Sequence, residues 1–361
     1  MKVVAGAMSE LVPNKRIKLA RRGAGGLTGG RGARSLSAVR SARHSLAAAL
    51  PMQWSAGVLR EGTTGEGTGM YEIMIDADEC RKCGFCALTC MRGIPQQEEK
   101  GTVPKIIGAE HCYGCGQCVA ICPSGALSHG HFPEGTVHPV RSEDLPSYEQ
   151  ARELIRSRRS KRLFKEKPVE RDVIEKVLDV ARFGPSGHNE QTTEFVVVQD
   201  EKTLGEIGAL TAKGIRKVAS PFKNPVGTMI MRFVQGKRGA AYLAELAPEL
   251  EGLADLYDDG KDWILRGAPT LVLFTADRAA EYFARVNANI ALHNATLAAE
   301  TLGLGCFYTG FVVLASDRDD SIPRLVSLPE THKVYGALAV GYPRLKFTEW
   351  PERNPAKVAW V

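Results

Sequence analysis

Apolar residues from about residue 140 onward recur at the spacing of helices. One helix face, with the period of 3.6 residues, is formed by Ile174, Val177, Leu178 and Ala181. A longer helix is predicted over residues 281–302, and Gly303 and Gly305 are expected to close it. Both patterns indicate a packed globular domain in the second half of the chain.

Three short apolar runs predict buried strands in the same region. They cover residues 194–198, 270–274 and 334–340. Helices and strands interleave here without the strict alternation of βαβ units. The pattern therefore predicts an α+β domain with a mixed central sheet.

The segment 1–69 shows no sustained periodicity and is rich in Gly, Arg, Ala and Ser. We expect this leader to be disordered. Its origin has three interpretations. Arg21 and Arg22 are paired as in a twin-arginine export signal, although no uninterrupted apolar stretch follows. The Arg and Ser content also fits a transit peptide, and synthesis beginning at Met70 is the third interpretation.

The net charge of +6 belongs to this leader, which carries 11 Lys and Arg against three Glu. The remainder of the 361-residue chain is close to neutral, so the composition does not indicate nucleic-acid binding. No run of 18 apolar residues occurs, and the sequence predicts no membrane span. The length is enough for about two domains.

Eight of the nine cysteines lie between Cys80 and Cys122. Gaps of two and three residues are typical of metal ligands and rarely meet disulfide geometry. Thiolate ligands imply a reducing compartment, and we expect the cytoplasm. The region contains an internal repeat, in which Cys80 corresponds to Cys112 and Cys90 to Cys122. A repeat this short has few large apolar residues, and we expect bound metal to stabilise it.

The two cysteine runs have the spacing of ligands for two [4Fe–4S] clusters. The first is Cys80-x2-Cys83-x2-Cys86-x3-Cys90 and the second is Cys112-x2-Cys115-x2-Cys118-x3-Cys122. In such runs the fourth cysteine binds the other cluster. We therefore predict one cluster on Cys80, Cys83, Cys86 and Cys122, and the other on Cys90, Cys112, Cys115 and Cys118. Zinc is the weaker alternative, since zinc sites usually have separated Cys-x2-Cys pairs.

Residues 70–135 resemble the bacterial two-cluster ferredoxin domain, except that Met91 stands where that family usually has proline. Three further stretches resemble the nitroreductase family of FMN flavoproteins, and this second domain is expected to cover residues 145–361. The first stretch is basic and follows residue 154. The second is Gly-Pro-Ser-Gly-His-Asn-Glu-Gln at 184–191, and the third is the Gly-rich loop at 303–311.

The resemblance to nitroreductases implies an FMN site made of separated segments. The basic stretch and a C-terminal arginine are expected to bind the FMN phosphate and the N1/O2 edge of the ring. The other two stretches are expected to contact the ring, with the Gly-rich loop near N5. The implied residues are Arg158, Arg159, Ser160, Arg162, Pro185, Ser186, Asn189, Thr309, Gly310 and Arg353. His188 receives no acid or base role, and Cys306 is expected in the core.

Residues 212–263 lie where nitroreductases vary and cover the substrate pocket. The segment holds six large apolar residues, which suit a flat acceptor: Phe222, Met229, Met231, Phe233, Tyr242 and Tyr257. A helical pair packed on the sheet is an equally good interpretation. No Gly-x-Gly-x-x-Gly motif follows a strand and no P-loop is present, so a Rossmann domain and an NTPase are excluded.

The combined expectation is an iron–sulfur flavoprotein oxidoreductase. Its clusters take up electrons singly, FMN collects two, and a small conjugated acceptor of the nitroaromatic or quinone type receives them. The donor is expected to be NAD(P)H or an external ferredoxin, and the resemblance implies a homodimer with FMN at the interface. Two alternatives stay open: an electron-relay subunit without its own substrate, and a flavin-dependent dehydrogenase of a metabolite.

Overall fold

The computed structural model describes residues 71–361. The predicted leader and Met70 lie outside the described residues. In residues 71–361 no helix is long and apolar enough to cross a membrane.

The N-terminal module is built from two short strand pairs and two short helices. Strand β1 (Ile73–Ile75) pairs antiparallel with β4 (Leu127–His129), and β2 (Pro95–Gln96) pairs antiparallel with β3 (Lys105–Ile106). Helices α1 (Phe85–Thr89) and α2 (Gln117–Ala120) begin at equivalent positions of the repeat. Each helix begins after a glycine with positive φ, Gly84 at 74° and Gly116 at 70°, a conformation that glycine adopts without steric cost.

The core of this module is small. Its buried members are Ile73, Ile94, Cys118 and Leu127. Other cysteines pack against them and are only partly buried: Cys86, Cys90, Cys112 and Cys122. So little apolar burial supports the expectation that bound clusters supply part of the folding free energy.

The second part of the chain holds seven helices and four strands within the described residues, joined by short 3-10 turns. The helices are α3 (Tyr148–Ser157), α4 (Arg171–Ala181), α5 (Glu201–Ala219), α6 (Pro225–Asp258), α7 (Glu281–Thr301), α8 (Gly310–Ser316) and α9 (Ser321–Leu325). The strands are β5 (Glu194–Val198), β6 (Thr270–Asp277), β7 (Gly305–Tyr308) and β8 (His332–Gly341). The predicted helices and strands are all present, and β6 and β8 are longer than predicted.

The four strands form one sheet in the order β5-β6-β8-β7. All three ladders are antiparallel. The parallel element of the expected mixed sheet is a bridge between Ser160 and Cys306, beside β7 at the sheet edge. The α+β class is confirmed.

Both faces of the sheet are buried, because successive residues of a strand point to opposite faces. Leu271 and Leu273 belong to the core under α5, α6 and α8, whereas Val272 and Phe274 belong to the core under α4 and α7. The buried face of α7 is largely alanine, which allows this helix to lie close to the sheet and to α4.

Gly303, two residues after the last residue of α7, has a φ of 72° and terminates the helix. The N–H of Gly303 donates to Glu300 O, and the N–H of Leu304 donates to Ala299 O, the two hydrogen bonds of a Schellman motif. Gly305 does not cap the helix but begins β7. The turn therefore brings β7 directly against the end of α7.

Residues 212–263 form most of the helical pair α5 and α6, which matches the interpretation of this segment as a helical pair packed on the sheet. Helix α6 is broken at Gly236, where φ is 71° and ψ is 165°. Met231 is buried, and Phe222 and Tyr257 pack against the core. Met229, Phe233 and Tyr242 are 65%, 94% and 66% exposed, so the first half of α6 presents apolar side chains at the surface.

Candidate functional site

The eight clustered cysteines line two cavities in the N-terminal module. One cavity is lined by the thiols of Cys80, Cys83, Cys86 and Cys122. The other is lined by Cys90, Cys112, Cys115 and Cys118. The structure thus brings together the two sets that the sequence predicts, each with a fourth cysteine from the other run.

Backbone N–H groups point at several of these sulfurs. Lys82 N lies 3.4 Å from Cys80 Sγ, and Gly114 N lies 3.3 Å from Cys112 Sγ, at equivalent positions of the repeat. Ile94 N lies 3.4 Å from Cys90 Sγ. Amide donors of this kind stabilise negative charge on ligand sulfurs, so the cavities fit iron–sulfur clusters held by thiolates.

The thiols differ in their ionisation. Burial raises the pKa of Cys118 to about 11, and it also raises the pKa values of Cys86 and Cys112. Burial alone would also raise the pKa of Cys122, but hydrogen bonds from Ser124 and from the N–H groups after it hold that pKa below its usual range. These hydrogen bonds therefore favour the thiolate form of Cys122.

The second cavity, of about 290 Å³, extends beyond the cysteines to the loop that follows α4. Pro185, Ser186, His188 and Asn189 line it together with Cys112 and Cys115. The Asn189 side chain donates a 3.0 Å hydrogen bond to Gly114 O, and the rings of Tyr113 and His188 lie 4.9 Å apart. One of the predicted FMN segments therefore contacts one of the predicted cluster sites.

The loop at 185–191 is held in an unusual conformation. His188, Asn189 and Gln191 have φ values of 52°, 56° and 50°, in the left-handed region that few non-glycine residues adopt. Gln191 N donates to Ser186 Oγ over 3.0 Å, and Gly187 N donates to Asn287 Oδ1 on α7 over 3.4 Å. Such strain is often found at functional sites.

The predicted phosphate-binding segment runs from the end of α3 along β7. Arg158 is the C-cap of α3, and Ser160 forms the parallel bridge to Cys306. Lys161 N donates to Cys306 O over 3.0 Å, and Lys161 Nζ forms a 2.6 Å ion pair with Glu300 of α7. Both side chains of this pair are less than one-fifth exposed, so the segment is fixed to the end of α7.

Within residues 71–361, no ion pair within 4.0 Å is formed by Arg158, Arg159, Arg162 or Arg266. The Arg162 guanidinium lies over the Phe307 ring at 5.6 Å. Burial, together with the nearby charge of Arg162, lowers the pKa of Arg266. The carboxylate of Asp262 opposes this effect only in part. Two arginines this close, neither of them in an ion pair, fit an anionic group such as a phosphate ester or the N1/O2 edge of a reduced flavin.

Arg266 was missed by the sequence interpretation. It lies in the loop before β6, has a φ of 58°, and stacks over Trp263 at 4.2 Å. Asp262 holds this loop through hydrogen bonds from the N–H groups of Ile264, Leu265 and Gly267. No spacing relative to the other cations marks Arg266 in the sequence, because the fold alone brings it to Arg162.

Thr309 and Gly310 lie at the end of β7, where α8 begins. Thr309 is 1% exposed, and its hydroxyl donates to Ile264 O over 3.2 Å. A Cβ on Gly310 would lie 3.0 Å from the Tyr308 ring, so the chain passes this point closely. Thr309 therefore ties β7 to the loop that carries Arg266.

The predicted FMN residues form two groups with no contact between them in the described structure. Arg158, Ser160, Arg162, Thr309 and Gly310 lie along or beside β7. Pro185, Ser186 and Asn189 lie beside the cysteines. Arg353 is exposed in the C-terminal segment and joins neither group. Cys306 is buried, as predicted, and burial raises its pKa to about 12.

Comparisons with known proteins agree with this organisation. The nitroreductase family model matches residues 155–342, and a 4Fe–4S dicluster domain model matches residues 79–126. Both domain types predicted from the sequence are thus confirmed in one chain, together with the class of FMN-dependent oxidoreductase that carries [4Fe–4S] clusters.

Individual relatives are distant. A protein of Methanothermobacter thermautotrophicus, named provisionally as an NADH dehydrogenase/NAD(P)H nitroreductase, is 28% identical over 53% of this chain and 76% of its own. The iodotyrosine deiodinase of Thermotoga neapolitana is 29% identical over 53% of this chain and 87% of its own. The structure of a nitroreductase of Bacteroides fragilis with bound FMN is 22% identical in sequence and covers 59% of this chain and 98% of its own, with a TM-score of 0.43.

The nitroreductase match begins in α3, includes the strained loop after α4, and ends just after β8. It covers more than half of the chain and contains most of the residues discussed above. The chain belongs to the nitroreductase family.

Proposed function

We propose that the protein passes electrons from two [4Fe–4S] clusters to FMN, and from FMN to a small conjugated acceptor of the nitroaromatic or quinone type. The observation that carries this proposal is the shared cavity. Cys112 and Cys115 line it together with Ser186 and Asn189, so a cluster and a flavin-contacting loop would be neighbours.

The cluster on Cys80, Cys83, Cys86 and Cys122 is the entry centre in this proposal. The cluster on Cys90, Cys112, Cys115 and Cys118 is the exit centre, since its cavity reaches the loop at 185–189. The clusters supply one-electron transfer, and FMN couples two such transfers to reduction of the acceptor. The cysteine thiolates fit a reducing compartment such as the cytoplasm.

The chain's own residues bind and orient the flavin. Arg158, Arg159, Ser160 and Arg162 would hold the phosphate and the N1/O2 edge, and Arg162 would stabilise negative charge on the ring. Thr309 and Gly310 would face N5. Pro185, Ser186 and Asn189 would contact the ring from the cluster side.

A homodimer completes the site in this proposal. Within one chain, the predicted FMN residues along β7 make no described contact with those beside the cysteines, Pro185, Ser186 and Asn189. A second copy would bring the β7 residues of one chain against the cysteine-side residues of the other. The apolar surface on the first half of α6 supports this, since Val226, Met229, Ile230, Phe233 and Val234 are all more than half exposed. Large exposed apolar patches of this kind commonly mark interfaces.

The electron donor is tested by anaerobic titration of the purified protein with NADH, NADPH and reduced ferredoxin. Cluster and flavin absorbance are followed separately. Two relatives carry NAD(P)H in their names, so a nicotinamide donor is one arm of the test. We expect at least one donor to bleach both centres. A preparation with clusters and no flavin band would contradict the proposed function.

The acceptor is tested in the same preparation by adding a nitroaromatic or a quinone after full reduction. We expect reoxidation of the flavin first, followed by the clusters. If the reduced flavin is reoxidised by oxygen but by neither the nitroaromatic nor the quinone, the proposed substrate class is contradicted.

A further inference from the structure

His129 is a buried imidazole at the end of β4. His129 is only 3% exposed. Its ring packs against the rings of Tyr71 and Phe132, whose centroids lie 5.0 Å and 5.4 Å from its own. It also lines the cavity of Cys90, Cys112, Cys115 and Cys118. The ring is therefore held in one place beside a predicted cluster.

The hydrogen bonds of His129 define which nitrogen carries the proton. The backbone N–H of His131 donates to Nδ1 over 3.1 Å, so Nδ1 is an acceptor. The proton of the neutral ring then lies on Nε2. Nε2 is 3.3 Å from Cys112 Sγ, so His129 donates an N–H···S hydrogen bond to this cysteine.

The other half of the repeat lacks this donor. The position equivalent to His129 in the first half is Gln97, whose amide donates to Lys82 O at 3.0 Å and to Thr102 O at 2.7 Å. The side-chain contact described for the Cys80 group is the Ser124 hydroxyl, at 3.8 Å from Cys122 Sγ. The backbone donors to Cys80 and Cys112 are equivalent, and the first cavity has further donors at Cys122, where Ser124 and the N–H groups after it hydrogen-bond to the sulfur. The imidazole is therefore a side-chain N–H donor described for the second cavity and not for the first.

A hydrogen bond to a ligand sulfur favours the reduced cluster. Reduction adds one electron to the cluster and so places more negative charge on its sulfurs. An N–H donor stabilises that charge, and it does so more strongly in a buried, low-dielectric site. The imidazole should therefore act on one cluster and leave the other almost unaffected.

We propose that His129 raises the reduction potential of the cluster on Cys90, Cys112, Cys115 and Cys118. The electron is then favoured on the centre beside the loop at 185–189, next to the flavin. This inference rests on the proposed ligand sets and deepens the proposed function by giving the internal transfer a direction. His129 is a positioning residue here, since it touches a ligand and not the substrate.

The test is an anaerobic redox titration of the holoenzyme, followed by EPR. Wild type should show two cluster potentials, and Cys115→Ser identifies the signal of the second cluster. In His129→Leu we expect the potential of this second cluster to fall so that its ratio of reduced to oxidised form at a given solution potential drops about tenfold, which for a one-electron couple is about 59 mV. His129→Gln keeps an N–H donor and should recover part of the shift.

The matched control is His131→Leu. His131 is exposed, touches none of the cysteines through its ring, and keeps its backbone N–H in the variant. We expect both potentials to stay at their wild-type values. If His129→Leu also leaves both potentials unchanged, the inference is overturned, whereas absence of clusters from wild type would overturn the proposed function itself.

A second measurement covers the case in which His129→Leu does not assemble its clusters. Protein labelled with ring-15N histidine is reduced and examined by pulsed EPR. We expect a nitrogen coupling on the signal that Cys115→Ser assigns to the second cluster, and we expect it to disappear in His129→Gln. The absence of that coupling in wild type, or its persistence in His129→Gln, would overturn the inference.

Discussion

The side-chain amide of Asn189 donates a 3.0 Å hydrogen bond to the carbonyl oxygen of Gly114. The N–H of Gly114 in turn donates to Cys112 Sγ over 3.3 Å. Two hydrogen bonds and one residue therefore join a predicted cluster ligand to a predicted flavin-contacting residue. These bonds form a direct connection between the two halves of the proposed electron route.

Removing this hydrogen bond should slow electron transfer to the flavin. A hydrogen bond of this type contributes about 1 kcal/mol, so Asn189→Ala should lower the equilibrium constant for the loop lying against Gly114 about fivefold. The rate of flavin reduction after the clusters are reduced should fall by up to that factor. It is measured by stopped-flow absorbance at equal FMN content.

The control for Asn189→Ala is Glu190→Gln, a change on the same loop that leaves the Asn189 side chain in place. It should leave the rate of flavin reduction within experimental error. If wild type and Asn189→Ala, with equal FMN content, show the same rate of flavin reduction, the hydrogen bond to Gly114 does not contribute to electron transfer.

The unpaired cations should bind FMN. Arg162→Gln and Arg266→Gln each remove a guanidinium charge that forms no ion pair within 4.0 Å in residues 71–361. Hydrogen bonds to charged groups contribute about 1.5–3 kcal/mol, so each variant should weaken FMN binding about tenfold or more. Quenching of FMN fluorescence measures the dissociation constant.

Arg182→Gln is the matched control for these two variants. Arg182 is exposed and forms an ion pair with Asp179 at 2.8 Å, away from the segment along β7. Its replacement should leave FMN affinity unchanged. An Arg266→Gln protein with wild-type affinity would exclude Arg266 from the flavin site.

The ion pair between Lys161 and Glu300 should stabilise the flavin domain. Both side chains are mostly buried, so Glu300→Gln leaves an unpaired ammonium and should lower the free energy of unfolding by about 3 kcal/mol. The midpoint of urea-induced flavin release measures the effect. The exposed pair Lys176 and Asp172 provides the comparison, and Lys176→Met should change stability by less than about 1 kcal/mol. Equal effects of the two variants would contradict a structural role for Lys161.

Cys306 should be chemically inert in the folded protein. It is 3% exposed, and burial raises its pKa to about 12, so at pH 8 roughly one thiol in ten thousand is ionised. Alkylation of the holoenzyme with iodoacetamide, followed by peptide mapping, should leave Cys306 unlabelled until urea is added. Rapid labelling of the native protein would contradict its place in the core.

The sequence predicted the regular elements well because their signals are local. β5 has the predicted bounds, and α7 ends within one residue of its predicted end, since apolar periodicity and a left-handed glycine act over a few residues. The α+β class followed from these patterns, the cluster domain from the cysteine spacing and its resemblance to ferredoxins, and the flavin domain from the resemblance of three separated stretches to nitroreductases. The boundaries between the domains, and the assignment of individual ligands, remain predictions.

The residues that the sequence missed depend on long-range contacts. His129 lies 17 residues from Cys112, and Arg266 is separated from Arg162 by α4, α5 and α6. A lone histidine or arginine carries no spacing signal, so only the fold shows which group it faces. The strained loop at 185–191 is similar, because its contact with Gly114 spans 75 residues.

The central claim is that electrons reach FMN through the clusters, and stopped-flow reduction tests it most directly. Wild type and a Cys80/Cys83/Cys86/Cys122→Ser variant with equal FMN content are mixed anaerobically with reduced ferredoxin. The account predicts cluster bleaching before flavin bleaching in wild type, and loss of flavin reduction in the variant. Flavin reduction at the wild-type rate in the variant would contradict the account.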